Sequence, residues 1–315
     1  PYEVKMDFSE VLKSTAFAEI SLGNIFMFAI GFILLYLAIK KKYEPYLLLP
    51  IGFGTILANM PLGDIITDTG LIRIFYYGIQ YEVIPPLVFL CVGAMTDFGP
   101  MIANPKTLLL GAGAQFGVYI AFFLSHAFGF SLAEACSIGI MGGADGPTTI
   151  FLTNAKAPHI LGATAVSAYS YMALVPVIIP PVIKLLTSKE ERMIVMKQLR
   201  PVSKLEKIVF PLVATMLICL LIPKATPLVG MLMFGNLLRE AGVVDRLAKG
   251  AQEELMNIVT LLLGLAICFK LRAEDFLQVK VILIFGLGLL SFIFSVAGGI
   301  MLAKLMYLYL KEKIN

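Results

Sequence analysis

Apolar residues fall in long blocks along this chain, and the charged residues gather in the gaps between them. Residues 1–20 are mixed and amphipathic, with Phe8, Val11 and Leu12 spaced to form one face of an interfacial helix. Residues 21–39 form the first apolar run, which stops at Lys40-Lys41-Lys42. A short run follows at 47–62, and the mixed stretch 63–81 reads as a surface connection. Further runs occupy 83–95, opened by Pro85-Pro86, and 107–130, where Gly111-Ala112-Gly113 predicts close helix packing. Residues 132–152 form an interrupted run, and Pro176, Pro180 and Pro181 should kink the long run 160–186. After the polar loop 187–207 come runs at 208–222, 228–238, 255–269 and 279–310. A helix needs roughly 20 apolar residues to cross the hydrocarbon core. The pattern predicts an all-α polytopic membrane protein with about nine to eleven transmembrane segments.

Composition agrees. The 315 residues are 59% hydrophobic and 15% charged, with a mean hydropathy of +0.89, whereas soluble chains average about 25% charged. Residues 21–39 are long for the apolar part of a signal peptide and lack a small-residue cleavage site after them. The net charge of +4 is carried in loops and offers no nucleic-acid surface. Placing Lys40–Lys42, the 187–207 loop and residues 304–313 in the cytoplasm satisfies the inside-positive bias. On that path the N-terminus is outside, and 132–152 returns to the side it came from. Cys91, Cys136, Cys219 and Cys268 all lie in apolar runs without a CxxC spacing, so buried free thiols are expected. His126 and His159 stand alone in the sequence and read as structural.

The stretch that carries chemistry is Gly142-Gly-Ala-Asp145-Gly-Pro-Thr148-Thr149. Its glycines and Pro147 break a continuous helix, which predicts two half-helices meeting at Asp145. A charge at membrane depth costs several kcal/mol unless paired, so a carboxylate there points to an ion or proton site. Asp145, with Gly143 and Thr148 beside it, supplies the hard oxygen ligands a cation takes. Asp145-Gly-Pro-Thr is equally a helix N-cap, and the two roles are compatible. Thr148 and Thr149 can also simply back-bond to helix carbonyls. Asp97 is expected to cap the turn before Pro100, and Asn236 to cap a short helix.

Leu108–Gly113 reads LLLGAG and Leu283–Gly288 reads LIFGLG, so Gly111 maps onto Gly286, 175 residues on. Residues 21–315 are thus read as one membrane domain, with repeat halves at about 83–187 and 254–315. The path puts the two copies in opposite orientations, which predicts inverted repeats with broken helices near the midplane. The same offset places the counterpart of Asp145 just past Asn315, so the second half is expected to be cut short at its C-terminus.

Val92-Gly-Ala-Met-Thr-Asp-Phe-Gly-Pro100, Gly142–Thr149, Ala168-Tyr-Ser-Tyr-Met-Ala-Leu-Val-Pro176 and Met233-Phe-Gly-Asn-Leu-Leu-Arg239 together resemble one family. From Leu22 to Asn315 the chain is similar to the β subunits of biotin-dependent, sodium-translocating decarboxylases, which act on oxaloacetate, methylmalonyl-CoA or glutaconyl-CoA. The resemblance implies a multi-pass protein of the bacterial inner membrane that decarboxylates carboxybiotin, consuming a proton and exporting Na+. It implies Na+ and a partner-borne biotin as cofactors. The implied partners are a carboxyltransferase subunit, a biotin carrier, a small membrane-anchored subunit and further copies of this chain. The family's essential aspartate matches Asp145, its functional tyrosine Tyr171, and the Asn that opens its second broken element Asn315. The 187–207 loop then becomes a candidate contact for the biotin-bearing partner. The short 63–81 connection leans toward a CoA-thioester decarboxylase. The competing reading is an elevator-type secondary transporter moving a small solute with Na+ or H+, which would not co-purify with a biotinylated protein.

Overall fold

The computed structural model describes residues 15–195, 199–276 and 278–310. Phe8, Val11, Leu12 and Asn315, which carry two of the expectations above, lie outside the described residues. The longer helices are α1 (Leu22–Ile39), α2 (Pro45–Ala58), α3 (Leu71–Gln80), α4 (Ile84–Met95), α5 (Leu108–Ala127) and α6 (Leu132–Gly139). They continue as α7 (Gly146–Lys156), α8 (Leu161–Leu186), α9 (Lys204–Leu221), α10 (Thr226–Ala241), α11 (Met256–Ile267) and α12 (Val279–Leu310). No strand occurs among the described residues.

Helix starts follow local chemistry. Ser21, Ser131 and Ser203 open α1, α6 and α9 with capping boxes, in which the side chains of Asn24, Glu134 and Glu206 reach back to the cap. Each such cap contributes about 1 kcal/mol. Pro45 opens α2, and Pro85 and Pro86 sit in the first turn of α4, where the missing N–H costs no helix bond.

Among the described residues, four helices are long and apolar enough to cross a membrane, or up to six if each bent pair counts as one span. The expected nine to eleven is not confirmed by this measure, which leaves out shorter apolar elements: α2 has 14 residues, and the α6 region ends in a break. The bend in α8 is 66° between Pro158–Met172 and Val177–Leu186, at the proline-bearing stretch, as expected. The stretch 63–81 is not merely a surface connection. It contains α3, whose Ile72, Tyr76 and Ile79 are buried at helical spacing. Tyr76 stacks on Phe269 at 4.6 Å.

Three helix pairings frame the molecule. Gly113 faces Leu302 and Gly117 faces Ser291 and Ser295, so α5 and α12 run antiparallel. In α2 and α11, Gly54 meets Cys268 and Pro50 meets Gly264, so these helices run parallel. α4 and α10 also run parallel and touch backbone to backbone: a Cβ on Gly93 would lie 1.8 Å from the Leu232 carbonyl oxygen. The basic loop joins the end of α4 through Lys207 and Asp97 (3.3 Å), and the end of α12 through Glu191 and Lys304 (3.0 Å). The opposite face gathers the ends of α3 and α7, joined by Asn154 Nδ2 donating to the Ile79 carbonyl at 3.2 Å, and the starts of α6 and α8.

Candidate functional site

The interrupted run folds as the sequence predicts. α6 tightens into a 3-10 turn over Ile140–Gly143, and Ala144 takes a left-handed conformation with φ 51°. Asp145 is extended and caps α7. Its Oδ1 accepts from the Thr148 N–H at 3.3 Å and its Oδ2 from the Thr148 hydroxyl at 2.5 Å. The Thr149 hydroxyl bonds back to the Asp145 carbonyl at 2.9 Å. Thr148 therefore sits beside the carboxylate, while Thr149 only back-bonds. Asp145 is half-buried, and the space beside Gly143 is open. Among the described residues no Lys, Arg or His makes an ion pair with Asp145. A carboxylate offers about four lone-pair positions, and Thr148 takes two of them. The rest can meet a hard cation at the mouth of the break.

Tyrosines on α8 divide between two faces. Tyr171, singled out from sequence, donates its hydroxyl to the Phe285 carbonyl of α12, and its ring lies against Gly288 beside Met141. Tyr169 is the one that packs on the break. A Cβ on Gly146 would lie 2.3 Å from its ring, so only glycine fits there. Tyr169 is 1% exposed, and its hydroxyl has no hydrogen-bond partner among the described residues. An unbonded buried hydroxyl calls for an explanation. A glycine directly after a membrane-depth carboxylate was the signal for such a neighbour in the sequence. Ser291 and Ser295, one turn apart on α12, face the break from the other side. Ser291 Oγ lies 3.0 Å from the Gly117 carbonyl oxygen and 3.2 Å from that of Gly139. Neither serine stood out in the sequence, because nothing local marks a helix as the wall of a distant break.

Other expected roles are redrawn. Asp97 does cap its turn, accepting from Gly99 N–H at 2.9 Å. Asn236 sits inside α10, and the helix end it caps is that of α4, with Nδ2 donating to the Thr96 carbonyl at 2.9 Å. His159 does not stand alone in space, since its Nε2 lies 3.0 Å from Glu134 Oε1. The four cysteines are free, but only Cys91 and Cys268 are buried; Cys136 is exposed and Cys219 half-buried.

The sequence model of the family described as Na+-transporting oxaloacetate decarboxylase beta subunit matches residues 23–315. The chain is 54% identical to the glutaconyl-CoA decarboxylase subunit beta of Acidaminococcus fermentans, over 95% of this chain and 80% of that protein. It is 53% identical to the methylmalonyl-CoA decarboxylase subunit beta of Veillonella parvula, over 97% and 81%. With the oxaloacetate decarboxylase beta chain of Klebsiella pneumoniae the identity is 42%, over 97% and 85%. These relatives decide between the two functional classes in favour of the decarboxylase subunit. The chain belongs to the family of Na+-transporting decarboxylase β subunits, and is a multi-pass membrane subunit of a sodium-pumping decarboxylase complex.

Proposed function

We propose that this subunit decarboxylates carboxybiotin and that Asp145 is both its Na+ ligand and its coupling residue. The observation that carries the reading is the broken element itself: a carboxylate at a helix break, with Thr148 as its hydrogen-bond donor and no cationic side chain paired to it among the described residues. Gly143 and Thr148 complete the proposed oxygen set, with Asn315 contributing from the second half. Na+ is the cargo. The carboxyl group arrives on the biotin of a partner carrier. Its N–C bond breaks, CO2 leaves, and the ring nitrogen takes up a proton. Asp145 serves both needs if an arriving Na+ displaces the proton the carboxyl holds. Tyr171 is proposed to assist by orienting the groups around the break from the α12 side.

The antiparallel packing of α5 on α12 supports inverted repeats with halves at about 83–187 and 254–315. The partners proposed are a carboxyltransferase subunit, a biotin carrier, a small membrane-anchored subunit and further copies of this chain, in the bacterial inner membrane. A CoA thioester is the proposed substrate of the complex. The relatives named for CoA thioesters align over 298, 305 and 327 residues, against 367 for the Klebsiella chain, whose alignment needs longer gaps.

Asp145→Asn keeps the size and the cap but removes the charge. In vesicles holding the assembled complex, it should abolish Na+ uptake while the subunits still co-purify. Uptake at the wild-type rate would overturn the assignment.

A further inference from the structure

Two asparagines outside the proposed ion site occupy matching places on opposite faces of the molecule. Asn59, at the C-cap of α2, is 4% exposed, and Asn236, within α10, is 1% exposed. The Asn59 amide donates to the Leu271 carbonyl at 2.7 Å, and its Oδ1 accepts from Ala273 N–H at 3.0 Å. Leu271 is the C-cap of the turn that prolongs α11. The Asn236 amide donates to the carbonyls of Thr96 at 2.9 Å and Gly93 at 3.4 Å, and Thr96 is the C-cap of α4. Asn59 and Asn236 are 177 residues apart, and Thr96 and Leu271 are 175 apart, close to the interval of the LLLGAG and LIFGLG segments. Each asparagine thus ties the helices that precede one repeat half to the end of the helix that opens the other half. In both places the joined helices run parallel and in close contact, through Gly54 and Gly264 on one face and through Gly93 and Gly235 on the other.

Three of the helices tied in this way, α2, α4 and α11, reach the break. Ile51 of α2, Val88 of α4 and Leu263 of α11 share one buried cluster with Ile150 of α7 and Tyr169 of α8. Tyr169 in turn fills the space against Gly146. We propose that Asn59 and Asn236 are a matched pair of positioning residues, one at each face, that lock α2, α4, α10 and α11 into a single frame holding the Asp145 break in register for Na+ transfer. This rests on the reading of Asp145 as the Na+ ligand.

A frame fastened at two ends loses its hold when either end is released, so releasing the second adds little. Two independent caps would act separately, because distant sites without shared partners contribute additively. The test is a double-mutant cycle of Asn59→Ala, Asn236→Ala and both together, in the full-length chain assembled in its complex and reconstituted in vesicles. The readouts are the Na+ concentration for half-maximal decarboxylation and the Na+ moved per turnover. Each single variant should raise the half-saturating Na+ about threefold or more and lower Na+ moved per turnover. The double variant should resemble the more severe single variant. Half-saturation unchanged in the singles, or a double variant equal to the product of the two, overturns the proposal. If the alanine variants do not assemble, Asn→Ser at both positions, which keeps a shorter donor, runs the same cycle under the same criteria. Asp145→Asn in parallel separates the two ideas. Transport surviving in that variant removes the ion-site reading and this inference with it, while transport lost there beside a multiplicative cycle removes the frame alone.

Discussion

At the scale of single residues, the site turns on which hydroxyls are bonded. Tyr171 spends its hydroxyl on the Phe285 carbonyl, whereas Tyr169 holds a buried hydroxyl without a partner among the described residues, against the backbone next to Asp145. Removing a buried, bonded hydroxyl costs about 1–3 kcal/mol, and removing an unbonded one costs nothing of the kind. Tyr171→Phe should therefore lower the thermal midpoint of the complex along with turnover. Tyr169→Phe should leave the midpoint unchanged or raised and act, if at all, on the Na+ dependence of turnover. Thermal unfolding and Na+ titration of the two variants side by side check this. Equal losses of stability would mean that the Tyr169 hydroxyl is bonded after all. Gly146→Ala forces a methyl group into the Tyr169 ring and should cost about 1–3 kcal/mol as overpacking does. Tyr169→Leu in the same chain should recover part of that loss, and a failure to recover any would place the strain in the backbone instead.

At the scale of elements, the break at 142–149 was legible because two independent rules agree there: glycine and proline stop the helix, and a carboxylate in an apolar run needs a reason. Helix starts at Ser21, Ser131 and Ser203 were written in local capping chemistry. α3 was not legible. Its apolar face of Ile72, Tyr76 and Ile79 is interleaved with Arg73 and Gln80, and an average over the stretch hides a pattern that only its period reveals. The count of nine to eleven crossings is not confirmed, because a test by helix length and apolarity passes four to six spans among the described residues and leaves out short elements such as α2 and α6. The contact between the end of α4 and the start of α9 gives a prediction at this scale. The Gly99 N–H, with Lys207 beside it, holds the Asp97 carboxyl below its ordinary range. A carboxyl shifted down contributes stability above the ordinary Asp value near 4 and loses it as pH falls toward the folded value. Proteolysis of the 187–207 loop should therefore quicken on acidification through that window, and Asp97→Asn should flatten the change. A rate independent of pH in the unmodified complex would show that the contact does not fasten the loop.

At the scale of the whole molecule, the sequence motifs identified the family, but not how the halves engage. The pairings of α5 with α12, α2 with α11 and α4 with α10 join residues well over a hundred positions apart, and such partners are set by packing that no local pattern encodes. The coupling of chemistry to transport is likewise a property of the assembled complex, and it can be tested through pH. On the proposed reading, carboxybiotin breakdown takes up one proton and Na+ leaves at the opposite face. If the Asp145 carboxylate holds either ion and not both, Na+ and H+ compete for it, and their occupancies are linked. Below the pH at which Asp145 takes up its proton, the half-saturating Na+ concentration should rise by about tenfold per pH unit, if one proton is displaced per competing Na+. Saturating Na+ should restore the rate, because competition changes affinity and not the maximal turnover. The measurement is a Na+ titration of decarboxylation at several pH values with ionic strength held constant, which keeps charge screening from imitating the effect. A half-saturation value that stays flat across the whole range rules out direct competition. Protons would then reach the carboxybiotin by a route separate from Asp145, and the hydroxyls of Tyr169 and Ser295, buried and unbonded among the described residues, would be the groups to examine first.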